Sequence, residues 1–359
     1  MVRTKKYRVH WNRILFVVLI PIIIIFLIYF GFIKDYQKEH LIKIGYNTEE
    51  INSIRKKLSD VEIEKLYKYD YLSFLVDLVN TNDYKSENLL SYINYIDKID
   101  GDYNLDNVVY LVNNGINYSY SEKLVNIVKN KYFIKSRLDR YMQYDNNDID
   151  NIITNVNSNL DYEFYTNMQS TNIEKGILMI VNKYYSLSKD YSSELVIMDK
   201  KYSNYNGSQL NAVAYEAFKK LVDDAEELGY HIRNNSAYRS YETQENLYND
   251  SKKNNGITYA DKWSARAGHS EHQTGFALDV GVQTAYAVGR FESSREFTWM
   301  KENSYKYGFI LRYPKGKEYI TGYSYEPWHY RYVGVEVATY IYNNNITFEE
   351  YYAYFVENN

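Results

Sequence analysis

The sequence predicts an α+β fold for residues 171–359, a small, largely antiparallel sheet with flanking helices, preceded by a transmembrane helix and a mostly α-helical, repeat-like region. Three observations predict it. A stretch of 20 uncharged residues from Ile14 to Ile33 is long enough, at about 1.5 Å per residue, to cross a hydrocarbon core near 30 Å thick. Between about residues 34 and 170 the chain is rich in Asn, Tyr, Lys and Asp, with apolar spacings such as Leu75, Leu78 and Val79 that suit short amphipathic helices. After Thr171 glycine becomes more frequent, and strand-like alternation interleaves with helical periods without the regular βαβ spacing of a doubly wound sheet.

Taken in order, residues 1–13 carry Arg3, Lys5, Lys6, Arg8 and Arg13, whereas Lys34, Asp35, Lys38 and Glu39 after the span are mixed in sign. The positive-inside rule therefore keeps the N-terminus in the cytoplasm and places everything after about Lys34 outside, in a single-pass cell-membrane topology. The apolar run of residues 14–33 exceeds the usual signal-peptide core of about 7 to 15 residues, and FGFIKDYQ offers no small-residue cleavage site, so it reads as an uncleaved anchor in the lipid bilayer. Pro21 is tolerable inside a lipid-buried helix.

Residues 34–170 read as an extracellular helical spacer. Two stretches resemble each other, LLSYINYIDKIDGDYNLDNVVYLVN from Leu89 and SRLDRYMQYDNNDIDNIITNVN from Ser136, with a period close to fifty residues. The 44 tyrosines are spread along the whole chain, which favours compositional bias over a sugar-stacking surface.

In residues 171–359 the helix from Leu210 carries Val213, Ala217, Leu221 and Ala225 at helical spacing and stops at Gly229. YHIRNNSAYR reads as a strand leading to a turn, and Ser240 caps a polar helix. FALDVGV, FILRY and HYRYV read as strands, SREFTWMKENSYKYG as a helix ending before Gly308, and Thr347 with Glu350 as a capping box opening a last helix.

Composition narrows the chemistry. The formal net charge is only −4 with interspersed signs, which excludes a broad basic face for nucleic acid. Cysteine is absent, so a metal would have to be held by His and carboxylates. Of six histidines, His10 and His40 flank the span and His231 lies beside a helix; His269, His272 and His329 lie in the polar segments SARAGHSEHQTGFALDVG and YSYEPWHYRYVG.

His272 and Asp279 are separated by a turn at Gly275 and an alternating strand, a layout that can bring imidazole and carboxylate to one point. Both are ordinary zinc ligands. EPWH supplies Glu326 and His329, and Pro327 disfavours helix at Glu326, so this is not the helical His-Glu-x-x-His arrangement. Three protein ligands would leave a fourth position for a water whose pKa zinc brings to about 7. One more carboxylate must then take and return a proton, the role expected for Glu326 rather than a surface pair with Arg331.

Together SAYRSYETQ, SEHQTGFALDV and EPWHYRYVG resemble the zinc D-alanyl-D-alanine carboxypeptidases of the VanY type, which have the hedgehog/D,D-peptidase fold. The resemblance runs from about Thr171 to the C-terminus; GILMIVNKYYSLSKDY from Gly176 resembles the family's opening strand. It implies one zinc ion held by His272, Asp279 and His329, with Glu326 as the catalytic carboxylate. Arg239 would meet the substrate or its developing oxyanion, Ser270 would bind the substrate's terminal carboxylate, and Gln244 would brace the Arg239 loop. His269 carries no implied role, and Ala267 stands where many relatives have proline.

The implied activity is removal of the C-terminal D-alanine from peptidoglycan stem peptides outside the membrane, with residues 34–170 as spacer or wall-binding region and no protein partner indicated. An L,D-carboxypeptidase acting on tetrapeptide stems, or a non-catalytic wall-peptide-binding protein, are the alternatives. The S-x-x-K patterns at Ser53 and Ser186 lack the S-D-N and K-T-G partners of a serine peptidase.

Overall fold

The computed structural model describes residues 11–99, 103–115, 122–282 and 291–357. They fall into two compact units, Met1–Lys135 and Ser136–Asn359.

The first unit opens with the Trp11–Ile44 helix, which contains the one stretch among the described residues long and apolar enough to cross a membrane. Its side chains from Leu19 to Tyr29 are exposed. Beyond Lys34 the same helix becomes a packing element: Gln37 and Leu41 are buried, and Gln37 Nε2 donates to Asp60 Oδ1 at 3.1 Å. Arg3, Lys5, Lys6 and Arg8, on which the orientation rests, lie outside the described residues. Short helices follow, two of them opened by capping boxes at Asn47 and Ser59.

The two similar stretches share one local detail. In the helix pair Leu89–Lys98 and Leu105–Asn113, the Tyr92 hydroxyl donates to Asn113 Oδ1 at 2.5 Å. In the pair Leu138–Met142 and Ile149–Asn157, the Tyr141 hydroxyl donates to Asn157 Oδ1 at the same distance.

The second unit begins at Ser136, whereas the change of texture in the sequence suggested 171. The reason is packing. Arg137 pairs with Glu357 at 2.5 Å, Tyr184 donates its hydroxyl to the Tyr162 carbonyl, and Leu160 and Tyr162 pack against the cluster of Ile180, Tyr184, Ile310 and Phe348.

Eight strands occur among the described residues: β1 (Gln169–Ser170), β2 (Tyr185–Ser186), β3 (Leu195–Ile197), β4 (Gln209–Asn211), β5 (Ile232–Ser236), β6 (Ala277–Val282), β7 (Phe309–Leu311) and β8 (His329–Tyr332). β5, β6, β8 and β7 pair in that order, every pair antiparallel, while β1–β2 and β3–β4 make two separate two-stranded ribbons. Most of the GILMIVNKYYSLSKDY segment is irregular; only Tyr185 and Ser186 pair as a strand.

The Ala212–Glu227 helix covers one sheet face, as its apolar period requires, but its buried stripe is Ala214, Phe218, Leu221 and Ala225. Val213, expected on that stripe, is 53% exposed because its Cα lies one position round from the packed face. Leu278, Val280 and Tyr330 point into the same core, so the period-2 alternation turns Asp279, His329 and Arg331 to the opposite, polar face.

A candidate metal centre on the polar sheet face

Register brings the donors together. In the β6–β8 ladder Asp279 pairs directly with His329, and in the β5–β6 ladder Ser236 pairs with Asp279, so the carboxylate sits in the middle of the sheet with an imidazole beside it. His272 arrives from the other side, on a single 3-10 turn, Glu271–Thr274, that ends at Gly275 in the left-handed region (φ +72°) before β6 begins. A side chain at Gly275 would meet Ser193 Oγ at 2.8 Å and Leu195 Cδ2 at 2.9 Å, so glycine is required twice over.

His272 Nε2 lies 3.4 Å and His329 Nδ1 3.2 Å from the same oxygen, Asp279 Oδ1, and the three donor atoms fall within 4.8 Å of one another. Oδ1 is buried yet has no hydrogen-bond partner, which ordinarily costs about 1–3 kcal/mol. Two imidazole nitrogens converging on a buried, unsatisfied carboxylate oxygen make a set of three donor atoms that a cation would satisfy. Metal bonds of about 2.0–2.2 Å at tetrahedral angles set neighbouring ligand atoms about 3.4 Å apart, close to the separations of both imidazole nitrogens from Asp279 Oδ1.

The outer atoms of both rings are already engaged. His272 Nδ1 is 2.6 Å from the Ala237 carbonyl oxygen, which fixes its proton there and leaves Nε2 as the acceptor. His329 Nε2 points to Glu271 Oε2 at 3.4 Å. Burial, then Arg239, push His272 down to about 4. Burial also opposes the charged form of His329, but contacts with Asp279 and Glu271 outweigh it and raise the ring to about 9. Asp279 is held well below the usual carboxylate range, burial being overcome by His272 and His329. An added cation would replace the proton on His329.

Glu326 stands beside this cluster without joining it, its Oε2 3.7 Å from His329 Nδ1. Pro327 keeps it on a loop, anchored where its N–H donates to the Tyr313 carbonyl and its own carbonyl accepts from His329 N–H. Burial, reinforced by Asp279 and opposed by His329, raises its carboxyl to about 7. The surface pairing of Glu326 with Arg331 does not form; Arg331 bonds Glu271 and the carbonyls of Ile177 and Met179.

Arg239 reaches in from the turn after β5. It donates through Nη2 to His272 Nε2 at 2.7 Å and Asp279 Oδ2 at 3.1 Å, and through Nη1 to Gln244 Oε1 at 2.9 Å. Gln244 in turn donates to the Ala265 carbonyl, tying the Arg239 loop to the opposite wall. Ser270 is buried and lines the same cavity, with Trp263, Tyr313, Tyr323 and Trp328. His269 points elsewhere, with Nδ1 2.7 Å from the Asn182 carbonyl oxygen and its ring edge-on to Tyr165.

All seven residues singled out from the sequence thus line one cavity. Sequence reasoning passed over Glu271. Its carboxylate is fully buried between Arg312 Nε at 2.8 Å and Arg331 Nη1 at 3.1 Å, whose positive charges, against the effect of burial, hold it below the usual carboxylate range. The available signal was an acidic residue directly between Ser270 and His272 in the motif segment.

Residues 207–335 match the family model of VanY, D-alanyl-D-alanine carboxypeptidase. The protein YodJ of Bacillus subtilis is 41% identical over 184 residues, covering 50% of this chain and 67% of its own length. VanXYC of Enterococcus gallinarum, a bifunctional D-Ala-D-Ala dipeptidase and carboxypeptidase, is 35% identical over 184 residues, 50% of this chain and 95% of its own. A crystal structure of the D,D-pentapeptidase VanY from a VanB-type resistance cassette, a point mutant in complex with Zn(II), is 34% identical, covers 48% of this chain and 97% of that one, and superposes with a TM-score of 0.43.

Proposed function

The chain belongs to the VanY family of D-alanyl-D-alanine carboxypeptidases and is a peptidase, and on that premise we propose that it hydrolyses the C-terminal D-alanine from peptidoglycan stem peptides, zinc-dependently and outside the membrane. The observation that carries this reading is the convergence of His272 Nε2 and His329 Nδ1 on the unsatisfied Asp279 Oδ1, with Glu326 close by and uncommitted. The donor set of two imidazoles and one carboxylate suits zinc, and the separations of both imidazoles from the carboxylate oxygen are close to a tetrahedral edge.

When bound, zinc would supply a water acidified to about pKa 7 and would polarise the scissile carbonyl. The chain's residues do the rest. Glu326 takes the proton of the attacking water as the C–O bond forms, and returns it to the amine as the C–N bond breaks, releasing D-alanine and the shortened peptide. His272 Nε2 offers one lone pair, which Arg239 uses here; with that lone pair committed to zinc, the guanidinium would be free to turn toward the substrate's oxyanion or terminal carboxylate. Gln244 steadies Arg239, and Ser270 is placed to bond the carboxylate end.

The apolar helix serves as a single-pass anchor in the lipid bilayer, with the N-terminus cytoplasmic and the peptidase facing the wall. Of the region 34–170, the part before Ser136 acts as a spacer or wall-binding segment, while residues 136–170 pack with the peptidase; the similar Tyr92–Asn113 and Tyr141–Asn157 hydrogen bonds support reading the two stretches as related helix pairs.

The test uses the full chain in detergent with one equivalent of zinc, incubated with pentapeptide and tetrapeptide muropeptides and read by mass spectrometry. Shortening of the pentapeptide supports the proposal, and a chelator must abolish it. Cleavage of tetrapeptide alone replaces it with L,D specificity, and zinc-dependent binding without cleavage replaces it with a wall-binding role.

A further inference from the structure

We propose that Glu271 is a positioning residue for the metal centre, fixing the ring of His329 through Nε2 while two buried arginines hold the carboxylate in place. The inference rests on the metal reading above. Glu271 belongs to the same short turn as His272, so one segment would supply a ligand and orient another.

The geometry favours a dedicated role. Oε1 of Glu271 accepts from Arg312 Nε and Arg331 Nη1, while Oε2 faces His329 Nε2. The two oxygens are thus divided between holding and orienting. Arg312 and Arg331 are among the largest fully buried side chains, and each has further partners: Glu349 for Arg312, the carbonyls of Ile177 and Met179 for Arg331. An isolated ion pair this deep is costly and poor evidence for stability. A lone buried carboxylate able to orient an imidazole is a known means of fixing the tautomer and raising ligand basicity. With Nε2–H directed at Glu271, the nitrogen of His329 that would give up its proton to a metal is Nδ1, the atom facing Asp279.

The arrangement also connects the centre to the C-terminus. Glu349 lies in the first turn of the Phe348–Phe355 helix and pairs with Arg312 at 2.6 Å, so that helix is linked to His329 through three successive ion pairs, Glu349–Arg312, Arg312–Glu271 and Glu271–His329.

The experiment measures zinc affinity by chelator competition on the purified full chain, with the absorption of the cobalt-substituted protein reporting ligand geometry. Glu271→Gln should weaken zinc binding 10- to 100-fold and alter the cobalt spectrum. Glu349→Gln removes a carboxylate from the same arginine cluster without touching His329, and should leave the affinity within threefold. Unchanged affinity in folded Glu271→Gln overturns the proposal, as does an equal loss in Glu349→Gln, which would mark general loosening. Should Glu271→Gln fail to fold, the charge-balanced Glu271→Gln/Arg331→Met variant is measured in its place under the same criteria. Failure of the wild-type chain to bind zinc would instead refute the metal reading itself.

Discussion

Replacing Glu326 by Gln separates the cost of burying this carboxylate from its proposed use in catalysis. The side chain is buried, and its pKa lies at about 7 against an ordinary 4.5, which at about 1.36 kcal/mol per pKa unit is roughly 3 kcal/mol against the ionised form. The sign follows from linkage: because the folded pKa is raised, no penalty exists below about pH 4.5, it grows as pH rises toward 7, and it is complete above about 8. Metal-free Glu326→Gln should therefore match metal-free wild type near pH 4.5 and exceed it by up to about 3 kcal/mol at pH 8.5. Urea unfolding in the presence of chelator, at pH 4.5, 7 and 8.5, measures the difference. With zinc restored, the same variant should lose 100- to 10,000-fold in turnover while binding the metal. Equal stability of the two proteins at pH 8.5 would refute the claim that Glu326 is held in an unfavourable charge state.

Three further outcomes are expected. His272→Ala should lose zinc and turnover together, as equilibrium dialysis and metal analysis would show, in contrast to Glu326→Gln. Gly275→Ala should destabilise the chain by about 2–4 kcal/mol in urea, since a left-handed backbone costs about 1–2 kcal/mol and the new methyl meets Ser193 and Leu195. A fragment beginning at 171 should be less stable than one beginning at 136 by about 3 kcal/mol or more, having lost Leu160, Tyr162 and the Arg137–Glu357 pair; equal melting of the two would disprove it.

Much of the site was legible because its signals are local. Proline after Glu326, glycine after the His272 turn and the alternation of FALDVGV each report on one or two neighbouring residues, and each predicted the backbone found. Helix caps at Ser240 and Thr347 were readable for the same reason. What escaped depends on partners far along the chain. Glu271 meets Arg312 and Arg331 only after β7 and β8 have paired, and no spacing within SEHQTG announces it. The start of the second unit escaped likewise, because residues 136–170 keep the composition of the preceding region while burying side chains against the C-terminal helix. Val213 shows the limit of periodicity itself: an apolar residue one position off the packed stripe satisfies the pattern and still faces water.

The direct opposition of Asp279 and His329 across β6 and β8 makes cation occupancy and strand adhesion two readings of a single equilibrium. Prising those strands apart must expel the ion, and by reciprocity every ion bound tightens the seam against fraying. Deprived of zinc, this peptidase would be most vulnerable to proteolysis along the sheet that carries Asp279 and His329, so that metal scarcity would lower its abundance as well as its rate.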